Sequence, residues 1–250
     1  MALKSFLRRL GVGGAEIDAV LDGAQVEPGG AISGTLNIRG GEAGKTASRA
    51  VIEVVARVAR KMGDDDDHQV DEAIAGLQIP GPIELGREHA LPFRIDVPLH
   101  TPVTSIGGRN FVWLRSGLDV PWAIDPGDTD GLEVFPNRAQ ANVLHAMESL
   151  GFRLAKVDIE PRSSWFGRKW VQEFEFRPTH RGQFRFDEVE IVFEAQHGSH
   201  VELLIQLYRS ARGLGGLLME LTDTDESWVH AQIDASSTGS AAAGLRLALR

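Results

Sequence analysis

Between Ile32 and Arg39 the chain reads ISGTLNIR: Ile32, Gly34, Leu36 and Ile38 take one parity, and Ser33, Thr35, Asn37 and Arg39 take the other. A period of two is the pattern of a β-strand with one buried face. Upstream, Glu27-Pro28-Gly29-Gly30 combines a fixed φ with residues that tolerate positive φ, as a turn requires. Before that turn Ile17, Ala19 and Leu21 alternate with Glu16, Asp18 and the less expected Val20. The chain therefore opens as strand, turn, strand, and this hairpin needs a second sheet over its apolar face.

The same period recurs downstream. Ala50, Ile52, Val54, Ala56 and Val58 alternate with Arg49, Glu53 and Arg57, predicting a long strand from Ser48 to Arg60. The acidic run Asp64 to Asp67, with His68, belongs at a hairpin tip or nearby loop, and a looser alternation resumes from Val70 to Ile79. Pro80, Pro82, Pro92, Pro98 and Pro102 then divide the chain into short extended pieces. Phe111 to Val120 reads as a strand that is apolar on both faces at its start. The period changes at Asn137 to Leu150, where Val143, Leu144, Met147 and Leu150 share one helical face and Gly151 is placed to stop the helix. Strands resume at Phe152 to Glu160, Glu173 to Pro178, Asp187 to Phe193 and Val201 to Tyr208. From Ala235 onward SSTGSAAAG and LRLALR are low in complexity, which predicts a flexible tail or docking of Leu245, Leu247 and Leu249 as a terminal strand. Many short strands with turn signals and no βαβ rhythm make antiparallel sandwiches the expected class.

Composition narrows the function. The 250 residues carry 26 Lys and Arg against 35 Asp and Glu, a net charge of −9 that works against binding nucleic-acid phosphates. With no cysteine there is no disulfide framework, thiolate zinc site or cysteine nucleophile, and a reducing compartment, the cytoplasm, is the default. Leu3, Phe6, Leu7 and Leu10 lie opposite Lys4, Arg8 and Arg9, so a short amphipathic helix opens the chain. A packed or frayed terminus is the ordinary reading of that helix, and peripheral membrane contact is the lesser alternative. No signal-peptide pattern and no run of about 18 apolar residues is present, so no transmembrane segment is expected.

One set of motifs points to a family. Leu21-Asp22, Pro28-Gly29-Gly30 and Ser33-Gly34-Thr35-Leu36-Asn37-Ile38 together resemble the opening of arrestin-clan proteins, in particular the bacterial sporulation-control family of the stage-zero M type. The likeness continues in order through Leu91 to Pro98, Val112 to Arg115, Leu118, Asp119, Ala123, Asp125 and Val134 to Pro136. It then takes in the later strands, and Arg209 to Leu217 running into Asp223 to Ser227, so that it spans roughly Ala15 to Val229. The resemblance implies an all-β protein of two arrestin-like antiparallel β-sandwich domains, 1–136 and 137–250, with a short helix at the junction and a flexible tail from about 235. It also implies a non-enzymatic cytoplasmic regulator or scaffold that binds other proteins of a regulatory or cell-division pathway, with homo-oligomers through edge strands as an option and no cofactor. The Asp64 to Asp67 run and the Ala/Gly/Ser tail depart from the family pattern.

A search for chemistry returns little. There is no Gly-x-Ser-x-Gly elbow and no His-Glu-x-x-His. Asp64 to Asp67 with His68 lack the spacing of a calcium loop and read as a solvated tip. Asp128, Asp130 and Gly131 echo such a loop, but Pro126 holds its first position and Asn137 its twelfth. His197 and His200 read as a polar turn, and Glu173 and Glu175 as the solvated side of a strand. Gly213-Leu214-Gly215-Gly216 lacks the spacing and lysine of a phosphate loop. No catalytic, cofactor or metal residues are assigned. For partner binding the sequence offers Trp165 and Phe166 beside Arg168, aromatic and arginine residues being common interface anchors. The alternative reading is a carbohydrate- or small-ligand-binding sandwich, hydrolytic or not, which would have to gather several of Trp113, Trp122, Trp165, Trp170 and Trp228 in one pocket.

Overall fold

The alternation at Ile32 to Ile38 is realised as a strand, β3 (Ala31–Gly40), between β1 (Ala15–Leu21) and β6 (His89–Asp96) in a three-stranded antiparallel sheet. The structure, a computed structural model, describes residues 14–61, 67–107, 111–120, 127–162, 170–180, 182–208 and 227–250. Leu36 and Ile38 are fully buried, and Ala19 and Ile17 stand opposite them on β1. Gly34 is required here, because a Cβ would come within 2.3 Å of the Val20 carbonyl oxygen.

A five-stranded sheet covers this face. It contains β4 (Thr46–Lys61), β5 (Asp67–Glu84), β7 (Val112–Asp119), β8 (Gly127–Val134) and the short β2 (Gln25–Val26), in the order β2-β8-β7-β4-β5. Its inner face carries Ala50, Ile52, Val54 and Ala56 from β4 and Val112, Leu114 and Leu118 from β7, all buried. The outer face holds cross-strand ion pairs, Arg49 with Asp119 at 3.2 Å and Arg115 with Glu53 at 2.7 Å. β5 runs on through Pro80 and Pro82, where the sequence had suggested a break. Its place at the sheet edge explains this, since a proline facing away from the neighbouring strand removes no ladder bond.

These strands, apart from the end of β4 and the start of β5, belong to the first of two compact units, Met1–Arg57 with Val70–Ser105 and Asn110–Phe135; the second gathers Val58–Gln69, Ile106–Arg109 and Pro136–Arg250. The long C-terminal stretch of the second unit begins with α1 (Arg138–Ser149), the helix expected at Asn137 to Leu150. Asn137 and Gln140 form a reciprocal capping box, each side chain accepting the other's backbone N–H at 3.0 Å, and Gly151 closes the helix at φ 92°. The strands β9 (Phe152–Pro161), β10 (Trp170–Pro178), β11 (Glu188–His197), β12 (His200–Tyr208) and β13 (Ser227–Asp234) follow as an antiparallel sheet ordered β13-β12-β11-β10-β9.

The tail corrects the sequence reading. Residues from Thr238 to Ala248 form neither a flexible segment nor a strand but a helix, α2. Alanine is the best helix former, and the Ser237 side chain caps the helix by accepting from Ser240 N. Ala241 and Leu245 are fully buried, while Leu247 points outward. α2 packs against α1 and β13, and Asn142 of α1 donates to the Ala235 carbonyl at 2.8 Å. Among the described residues, then, the second unit is one antiparallel sheet with two helices packed on it. The chain as a whole is all-β in class, built of several antiparallel sheets.

Candidate functional site

The sheet of the second unit has two unlike faces. Phe152, Val157, Ile159, Trp170, Phe174, Phe176, Val189, Ile191 and Ile205 fill the core face. The opposite face carries Arg153, Lys156, Asp158 and Glu160 from β9, Glu173, Glu175 and Arg177 from β10, and Glu188 and Glu190 from β11. Val171, Val192 and Leu204 also lie on this face and are buried there.

The charges pair in part. Arg177 bridges Glu175 at 2.8 Å and Glu188 at 2.9 Å, Lys156 pairs with Asp158, and the Tyr208 hydroxyl donates to Glu190 at 2.9 Å. Glu173 sits between Asp158 and Val192 in the cross-strand register. Its burial, and then the negative charges of Glu190, Glu160 and Asp158, push its carboxyl up to about 7, with Lys156 opposing. Burial also raises Glu190 and Glu188, against the Tyr208 hydrogen bond in the first case and Arg177 in the second. The sequence reading of Glu173 and Glu175 as a solvated side is corrected for both: Glu173 is half-buried, and the Glu175 side chain, held by Arg177, is only 13% exposed. Alternation alone gives the face on which a residue lies, and says nothing of what covers that face.

β9 is an edge strand with a bulge. Glu175 faces Lys156, but Phe176 faces Leu154, so Ala155 is an extra residue without a partner on β10. The slip changes the parity of the strand and puts Arg153 and Lys156 on the same face, next to Arg177. Beside this bulge lies an open groove of about 620 Å³, lined by Arg153, Leu154, Ala155, Lys156, Val157, Glu175, Arg177 and Gly107. Gly107 has φ 82°, and a Cβ there would sit 2.7 Å from the Val157 Cβ, so only glycine lets the bend close against β9.

Trp165, Phe166 and Arg168 lie outside the described residues, as do Asp64 to Asp66, Gly213 to Gly216 and the N-terminal segment Leu3 to Leu10. Asp67 and His68 begin β5. Asp128 and Asp130 belong to β8, an extended strand rather than a loop, and Asp128 accepts the backbone N–H of Ala19. His197 and His200 form the last rung of the β11–β12 ladder, around Gly198 at φ 62°. Of the tryptophans, Trp170 is core in the second unit, whereas Trp113 in the first lies under the Arg57 guanidinium, 5.5 Å from its ring centre. Among the described residues no helix is long and apolar enough to cross a membrane.

The family model for Spo0M, described as SpoOM protein, matches residues 3–211. The sporulation-control protein Spo0M of Bacillus subtilis (strain 168) is 33% identical over 242 residues, covering 93% of this chain and 92% of that protein. The crystal structure of Spo0M from Bacillus subtilis superposes with a TM-score of 0.79 at 32% identity, over 94% of this chain and 97% of that one. With the sequence motifs, the sheets and all three comparisons in agreement, the chain belongs to the Spo0M family of sporulation-control proteins.

Proposed function

We propose that this protein is a non-enzymatic cytoplasmic regulator that acts by binding other proteins of a sporulation-control or related developmental or cell-division programme. The observation that carries the reading is the groove along β9, a strand whose outer side has no neighbour in the strand order among the described residues. Unpaired backbone groups on such an edge accept another chain by strand addition, and nearby side chains choose which chain. The printed name of the Bacillus subtilis relative, a sporulation-control protein, supports the programme. In this reading the chain divides at 136/137, and Trp165 and Phe166 beside Arg168 add a loop anchor.

Affinity capture of the tagged protein from its own cells tests this. The expected result is one or a few stoichiometric protein partners, lost in the double variant Trp165→Ala, Phe166→Ala while the thermal transition stays in place. Recovery of the protein alone or only with its own copies, or turnover of a substrate by the purified protein, overturns the reading.

A further inference from the structure

Three cations converge at the β9 bulge in a protein whose net charge is −9. Arg153 and Arg177 stand directly opposite each other across β9 and β10, a like-charged pair that opposes sheet pairing unless an anion lies between or beside them. Arg177 has Glu175 and Glu188, and Lys156 has Asp158, so two of the three are balanced from within the sheet. Arg153 is exposed at the mouth of the groove. In a regular strand Arg153 and Lys156, three residues apart, would fall on opposite faces. The bulge is the device that aims both at one spot, a common use of bulges at sheet edges.

From this geometry we infer that the groove is a docking site for an acidic, extended peptide segment of a partner protein. The segment lies along β9, and one of its carboxylates is held by Arg153 and Lys156, with Arg177 behind them. Arginine presents a planar fork of donors matched to a carboxylate, and Lys156 adds a mobile second charge at the same point. The Asp158 and Glu160 end of the same strand repels the segment's acids, so the peptide is recognised in one register. The inference rests on the protein-binding reading above and gives the partner its chemistry.

The test uses the full chain and a fluorescein-labelled peptide alternating Thr and Glu, with the Thr–Lys peptide of equal length as its counterpart. The Thr–Glu peptide is expected to bind saturably and more weakly as salt rises, and the Thr–Lys peptide is not. Arg153→Glu with Lys156→Glu should weaken binding by about tenfold or more, whereas Arg153→Lys should retain much of it. Should the Glu variants melt early, Arg153→Gln carries the same comparison. Equal binding of the two peptides, binding of neither, or indifference to Arg153→Gln overturns the inference. So does inorganic phosphate binding as tightly as the peptide, which would make this a simple anion site. Self-association that Arg153→Glu abolishes would give the edge to a second copy and overturn it as well. Cell capture that succeeds while the peptide fails retires the groove alone; peptide binding without any captured partner retires the regulator reading alone.

Discussion

Asp128 Oδ2 accepts the backbone N–H of Ala19 at 3.2 Å, so a side chain from the five-stranded sheet satisfies the edge of the three-stranded one. β1 would otherwise present that N–H to any passing strand, and an inward-pointing carboxylate is a common way to blunt such an edge. Asp128→Ala leaves the group without its acceptor, and chemical denaturation should show a loss of about 1–3 kcal/mol. Asp128→Asn, which keeps an oxygen there, should lose less. Equal melts for Asp128→Ala and the parent would mean that the bond contributes nothing.

The register of β3 has a sharp consequence. Leu36 is fully buried and Thr35 is not, so Leu36→Ala should cost about 2–5 kcal/mol, the usual result of truncating a core leucine, while Thr35→Ala costs little. Denaturant melts of the two variants would expose a one-residue slip by reversing the order.

Glu173 makes stability depend on pH in an unusual direction. Its carboxyl is raised in the folded state from 4.5 to about 7, so between those values the folded protein holds a proton that the unfolded chain has released. Its contribution is therefore complete below about pH 4.5, falls as pH rises, and is gone above about 7. Glu173→Gln should flatten this part of the profile and raise the melting temperature at pH 8 relative to the parent. A parent profile that rises across the window, with no crossing by the variant, would contradict the assignment.

At the start of α1, Asn137 both caps the helix and donates its Nδ2 to Gln196 Oε1 at 2.9 Å. Asn137→Ala should cost at least the cap, about 0.5–2 kcal/mol. Asn137→Asp keeps the cap acceptor and loses the donor to Gln196, so the difference between the two variants in thermal melts separates cap from tie. Identical losses would show that only the tie matters.

Much of this fold could be read from the chain because its strands alternate strictly: β3, β4, β7 and α1 are where their patterns place them. β13 carries the same signal, since Val229, Ala231 and Ile233 alternate with His230 and Gln232, but it is short and abuts a low-complexity run. That run also hid α2, whose signals are local: Ser237 as cap, then an alanine-rich turn. The candidate site was less accessible. Glu173 owes its environment to Glu190 on β11 and to Asp158 and Glu160 on β9, and none of these neighbours is visible from the Glu173–Glu175 spacing. The groove likewise depends on a pairing slip between β9 and β10, which exists only once the two strands have met.

Ala155 gives β9 two halves that count in opposite phase, and that makes chain length at this point a form of information. Deleting this one residue changes no charge and leaves Arg153, Leu154 and Lys156 in plain alternation, so both cations keep their face and the ladder with β10 closes without a bulge; what goes is the local bend and extra twist of the edge. A substitution at Ala155 leaves the count intact. In a homologous chain an alignment gap here would therefore mark a straighter edge strand that still carries its paired cations, whatever the letters on either side of it.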